Sequence, residues 1–166
     1  MKKRIHGIGG LAVIGLAIGG LNGTSEANQS WANTNLCVGA TPGDIGRITY
    51  TNYGVQNNNT TAAATVECGT VVPGGSNEPF DLWFYAYDRN STTNVCCTMY
   101  ITDFNGDVLE SSAPCTSGSG ASVQLVTGGL TPVGGSGANL SCSIPPKQGT
   151  SLSHLTRTLV FTAGAL

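Results

Sequence analysis

The sequence predicts an all-β fold: an antiparallel β-sandwich of about eight strands, immunoglobulin-like or jelly-roll-like, stapled by disulfides. Three observations predict it. Short runs rich in Val, Ile, Thr and aromatics alternate with clusters of Gly, Pro, Asn and Ser. No stretch repeats apolar residues at helical spacing over three turns. The chain opens like a secretory precursor and holds six cysteines, an even count that fits an oxidised framework.

The opening segment changes every later count. Met1-Lys2-Lys3-Arg4 is basic, Ile8 to Leu21 is apolar or glycine throughout, and Ser25-Glu26-Ala27 sets small residues at the −3 and −1 positions of a cleavage site. Residues 1–27 therefore read as a signal peptide, since the apolar run falls short of the roughly 20 residues that a membrane span needs. The short basic start suggests a bacterial exporter, with the periplasm, the cell surface or the medium as destination. Residues 28–36 are polar and Asn-rich and read as a flexible arm; residues 37–166 have the size of one domain with one core. Beyond residue 27 four basic side chains stand against eight acidic ones, a net charge of −4. That balance gives no footprint for nucleic acid or an anionic bilayer. No later segment reaches membrane length.

The expected strands, in order, are Arg47–Tyr53, Ala62–Cys68, Phe80–Asp88, Asn94–Asp103, Asp107–Ala113, Ser122–Val126, Ala138–Ile144 and Leu155–Thr162. Breaks fall at Gly54 to Thr60, Pro73 to Ser76, Asn105-Gly106, Ser117 to Gly120, Gly134 to Gly137 and Pro145-Pro146.

Asn105-Gly106 is the sharpest local signal, because Asn-Gly favours the positive φ of a type I′ hairpin turn. A two-residue loop makes opposed positions sum to 211 and sets Cys96 against Cys115, within disulfide reach. A three-residue loop sets Cys115 against Val95 instead, on the face of Cys97. The expected bridge is Cys96–Cys115, with Cys37–Cys68 and Cys97–Cys142 favoured for the rest. Cys96 and Cys97 are adjacent, so on a strand they point to opposite faces and serve two different bridges. A bridged pair of this kind is expected to be scaffold and not a reactive or metal-binding centre.

The chemistry-bearing residues are few. His154 is the one histidine after the leader, and no Gly-x-Ser-x-Gly marks Ser141, Ser143, Ser151 or Ser153 as a nucleophile. One histidine and bridged cysteines leave no zinc ligand set. Asp103, Asn105 and Asp107 alternate as at the start of a calcium loop, but Val108 and Pro114 stand where an EF-hand needs Gly and Glu. No catalytic residue, metal or cofactor is expected. Asn-x-Ser/Thr sites at Asn28, Asn58, Asn59, Asn90 and Asn139 read as composition.

The densest aromatic stretch is Phe80 to Tyr87, with Trp83, Tyr85 and Tyr87 on one strand face and Leu82, Phe84 and Ala86 on the other. Facing outward, the first set makes a platform for sugars or a partner; facing inward, it is core. The larger aromatic payload normally stabilises the core, so the inward orientation is the expectation.

Cys37, Ile48-Thr49-Tyr50, Val66-Glu67-Cys68, Trp83 to Asp88, Cys97-Thr98-Met99-Tyr100 and Leu140-Ser141-Cys142-Ser143-Ile144-Pro145 follow one another in a recognisable order. This resembles a broad group of small exported bacterial β-sandwich proteins. Gly69 replaces the proline common in that group after the second cysteine, and Cys96 and Cys115 look like a pair added to its four cysteines. The resemblance implies a sandwich without enzymatic residues. The expected role is a secreted, non-catalytic structural or binding module with a cell-surface partner or self-association. A filament subunit assembled by strand addition ranks second. A carbohydrate-binding module or an enzyme inhibitor ranks below both.

Overall fold

A computed structural model describes residues 28–69, 79–118, 120, 122–133 and 136–163. The leader at residues 1–27, the Pro73 to Ser76 turn and Gly134-Gly135 lie outside them. The described chain is an antiparallel β-sandwich. Its strands are β1 (Asn28–Asn33), β2 (Cys37–Gly39), β3 (Ile48–Thr51), β4 (Gly54–Asn57), β5 (Ala64–Gly69) and β6 (Phe80–Tyr87), followed by β7 (Cys96–Thr102), β8 (Val108–Ser112), β9 (Ser122–Leu130), β10 (Gly137–Ile144) and β11 (His154–Ala163). One sheet runs β3-β4-β11-β6-β9, with β1 also on β11; the other runs β2-β5-β10-β7-β8.

Side-chain alternation along the strands builds the core. In β6, Phe80, Leu82, Phe84 and Ala86 are buried; in β10, Ala138, Leu140, Cys142 and Ile144; in β7, Cys97, Met99 and Ile101. Val55, Val66, Leu125, Leu130 and Leu155 close the layer between the sheets. Each large aliphatic or aromatic side chain sealed here contributes about 1.5–3 kcal/mol of transfer free energy.

Two strands arise where the sequence suggested an arm or a turn, and a third, β2, where it suggested no strand. Residues 28–33 form β1, which pairs with Thr158 to Ala163 of β11. The physical reason is edge coverage. β11 is ten residues long and β4 covers only His154 to Thr156 of that edge, so the remaining backbone groups recruit the segment before the first cysteine. Strand β2 is short and lies on β5. Strand β4 occupies Gly54–Asn57, inside the expected turn, and is possible because its buried Asn57 is fully used. The Asn57 amide donates to the carbonyls of Ala62 (2.9 Å) and Ile144 (3.0 Å), and its side-chain oxygen accepts from the Asn59 N–H (2.8 Å). A single helical turn, α1 (Pro42–Ile45), is capped by Thr41, whose hydroxyl donates to the Asp44 carboxylate at 2.6 Å. That carboxylate also accepts from the Thr65 N–H and pairs with Arg47 at 3.3 Å, which ties α1 to β5.

The three bridges are Cys37–Cys68, Cys96–Cys115 and Cys97–Cys142. Cys37–Cys68 and Cys97–Cys142 join residues directly opposed on neighbouring strands, and Cys96 opposes Cys115 in an isolated bridge past the end of β8. The hairpin that sets Cys96 against Cys115 is not the expected two-residue turn. Asp103 and Asp107 close a three-residue loop: the Asp103 N–H donates to the Asp107 carbonyl, and the Gly106 N–H to the Asp103 carbonyl. Gly106 takes a φ of 90°, which suits glycine in the last loop position. Asp103 fixes this loop, because its carboxylate accepts the N–H groups of Asn105 (2.8 Å) and Asp107 (2.9 Å). A register shift between Ile101 and Thr102 then restores the pairing. Thr102 faces Val108, Ile101 faces Glu110, and Leu109 is the extra residue.

Candidate functional surface

Strand β6 is central in its sheet and alternates strictly, so burying Leu82, Phe84 and Ala86 sends Trp83, Tyr85 and Tyr87 to the outer face. This reverses the expected inward orientation. Parity carries the reason: the same face continues to Asp81 and Arg89, and a charge at each end of the stripe favours water. The three aromatics are not equally presented. Tyr85 is 48 % exposed. Tyr87 is half-buried, and so is Trp83, whose indole N–H is enclosed without a hydrogen-bond partner among the described residues.

Arg89 lies over the Tyr87 ring, 4.3 Å from its centroid, and donates to the Tyr87 hydroxyl. His154 also packs against Tyr87, with ring centroids 5.0 Å apart and planes tilted by 42°. The register explains the meeting, because His154 stands opposite Tyr87 on β6 and opposite Gln56 on β4. Gln56 in turn faces Thr49 on β3 and donates to the side-chain oxygen of exposed Asn58. A polar lane therefore crosses the sheet from Thr49 through Gln56 and His154 to Tyr87. At the usual strand spacing it is about 14 Å long.

Burial holds the His154 imidazole below its ordinary pKa, and the Arg89 charge pushes the same way against a backbone hydrogen bond with Leu152. The ring is therefore neutral at neutral pH and offers one donor and one acceptor. Asp103 titrates below the usual carboxylate range because the Asp107 and Asn105 N–H groups stabilise its anion.

The surface adds Arg89, Gln56 and the placement of His154 to the aromatics. Arg89 was legible, since it continues the odd-numbered parity of Trp83, Tyr85 and Tyr87. Gln56 was hidden because its segment reads as a turn. The six cysteines stand away from this surface, in or beside the other sheet, with no free thiol among the described residues. No group of three or more His, Cys, Asp or Glu fit to hold a metal occurs among the described residues, and no described helix is long and apolar enough to cross a membrane.

Beneath the end of the stripe, Asp88 is fully buried and anchors the strand ends. Its carboxylate accepts from the N–H groups of Asn90 (2.9 Å) and Val95 (3.3 Å) and from the hydroxyls of Thr116 (2.5 Å) and Ser153 (3.3 Å). This cluster ties β6 to the entries of β7 and β11 and so fixes where Tyr87, Arg89 and His154 stand.

No family model and no curated protein sequence matches the chain. Among solved structures, the chain is similar to the CBM36-1 domain of a multidomain xylanase from the hindgut metagenome of Trinervitermes trinervoides. The identity is 10 %, with 83 % of this chain and 98 % of that one covered and a TM-score of 0.49. It is also similar to a carbohydrate-binding module CBM36 in complex with calcium and xylotriose, at 12 % identity, 80 % and 98 % coverage and a TM-score of 0.47. A third is the xylan-binding module CBM86 from Roseburia intestinalis, at 9 % identity, 82 % and 96 % coverage and a TM-score of 0.46. At identities this low no site residue carries across.

Proposed function

We propose that the chain is an exported, non-catalytic binding module whose contact surface is the outer face of β6. The observation that carries this reading is Tyr85, 48 % exposed at the middle of an internal strand, with Tyr87 next on the same face and Arg89 and His154 packed against Tyr87. An aromatic left open at such a position costs burial that the core could have used, and exposed aromatic stripes mark contact surfaces. The ligand class that suits the surface is an extended polysaccharide. Sugar rings stack on Tyr85, and their hydroxyls exchange hydrogen bonds with His154, Gln56 and Arg89. Cleavage after Ala27, passage out of the cytoplasm and kinship with the exported β-sandwich group belong to the same proposal. The three disulfides support export.

Affinity electrophoresis of the chain from residue 28 through gels holding a panel of plant and bacterial polysaccharides tests the reading. At least one polymer should retard the protein, and Tyr85→Ala should weaken that retention roughly tenfold, for about 1.4 kcal/mol of stacking. Equal mobility in every gel, or an unaffected Tyr85→Ala variant, contradicts it.

One observation favours a second reading, a subunit that assembles by strand addition. Strand β1 precedes the first disulfide cysteine and pairs only with β11, so the same contact between neighbours would build a chain of subunits. Concentration-dependent oligomers in size-exclusion chromatography are its expected outcome, and a strictly monomeric profile rejects it.

A further inference from the structure

The three bridges differ sharply in access. Cys37, Cys97 and Cys142 are completely buried and Cys68 is 2 % exposed, so two bridges are sealed in the core. Cys115 is exposed and Cys96 half-buried. Cys96 also lines a surface cavity of about 450 Å³ with Thr61, Thr93, Asn94, Ser143 and Pro145. No ionisable side chain lines that cavity, so nothing in its wall repels a small anion.

We propose that Cys96–Cys115 is an exchangeable bridge and that Cys96 is a site of S-thiolation by a small thiol of the cysteine or glutathione class. The thiolate enters the cavity and attacks the Cys96 sulfur. A new S–S bond forms between them while the Cys96–Cys115 bond breaks, and its electron pair leaves on the Cys115 sulfur. Cys115 is the better leaving group because its thiolate is solvated, whereas a thiolate on half-buried Cys96 pays desolvation. Water then protonates Cys115. A second thiolate attacking the mixed disulfide frees Cys96 and releases the oxidised small thiol, so two thiols are oxidised for one bridge reduced.

The opening is local. Backbone bonds on both sides of the bridge survive it: the Cys97 N–H to the Pro114 carbonyl at 3.0 Å, and the Thr116 N–H to the Val95 carbonyl at 2.9 Å. Thr116 stays anchored to the buried Asp88 carboxylate. The sealed bridges continue to staple β2 to β5 and β7 to β10.

The test incubates the native oxidised protein with reduced glutathione, blocks free thiols with iodoacetamide and maps the peptides by mass spectrometry. The expected product carries glutathione on Cys96 and carbamidomethyl on Cys115, with the other four cysteines unlabelled and circular dichroism unchanged. Thr93→Trp, an exposed substitution at the cavity wall, should slow adduct formation without moving the urea midpoint. Three results overturn the proposal: labelling of all six cysteines together, glutathione on Cys115 in place of Cys96, and no labelling of either.

Discussion

At the scale of single residues, two side chains make separable predictions. Asp88 is buried and its carboxylate accepts from four donors. Asp88→Ala strands those donors, at about 1–3 kcal/mol for each that water cannot reach. Urea unfolding should therefore lose at least about 3 kcal/mol, and a loss below 1 kcal/mol contradicts the anchoring role. His154 makes the pH prediction. Its folded pKa lies below the unfolded value near 6.5, so the unfolded chain binds the extra proton first. Stability is thus complete above about pH 6.5 and falls as pH drops through the folded pKa. His154→Gln should flatten that part of the curve. A second decline, from Asp44 and Asp103, both lowered from 3.8, should survive the substitution at more acidic pH. An unchanged slope just below about pH 6.5 in His154→Gln contradicts the assignment.

At the scale of elements, the β7–β8 hairpin shows how two local irregularities combine. The three-residue loop shifts the register by one and the extra Leu109 shifts it back, so Cys96 still meets Cys115. Deleting Leu109 removes the bulge but leaves the loop register intact, and that register places the same two cysteines face to face. Peptide mapping of the deletion variant should recover Cys96–Cys115, whereas a free or re-paired Cys115 contradicts the account of the bulge. Strand β1 makes the other prediction at this scale. Removing residues 28–33 uncovers the β11 edge from Thr158 to Ala163, which should produce self-association in light scattering.

Much of this level was legible. Runs rich in Val, Ile, Thr and aromatics between turn clusters marked β5, β6, β7 and β10, and their burial alternates as a strand buried on one face must. The strands β1, β2 and β4 were not legible. They are short and carry Asn and Gly, and tertiary partners hold them: a bare edge for β1, a buried amide network at Asn57 for β4. The turn was misread because Asn-Gly signals the two-residue loop, while the Asp103 carboxylate that selects the three-residue loop acts through its own downstream backbone.

At the scale of the molecule, the sandwich separates its tasks between sheets. The disulfides staple the β2-β5-β10-β7-β8 sheet and its edge, and the six-stranded sheet carries the outer β6 aromatics and the polar lane that ends at Tyr87. The outer aromatics of β6 were legible as a set, since Trp83, Tyr85 and Tyr87 share parity. Their direction was not, because β6 offers an apolar stripe on both faces and Asp88 puts a charge on the inner one as well. The inward set wins by continuity, with Phe80, Leu82, Phe84 and Ala86 unbroken against the opposite sheet. Phe84→Ala should cost about 3–5 kcal/mol in urea unfolding, while Tyr85→Ala should cost well under 1 kcal/mol.

That contrast leads to the most direct measurement. The chain from residue 28, labelled with ¹⁵N, is titrated with soluble oligosaccharides from whichever polymer retards it, and amide shifts are followed by NMR. Saturable shifts should centre on Tyr85, Tyr87, Arg89, His154 and Gln56, with little change at Thr98, Ser141 and Ser143 on the opposite sheet. Saturable shifts confined to the opposite sheet or to the β7–β8 hairpin would contradict the proposed surface.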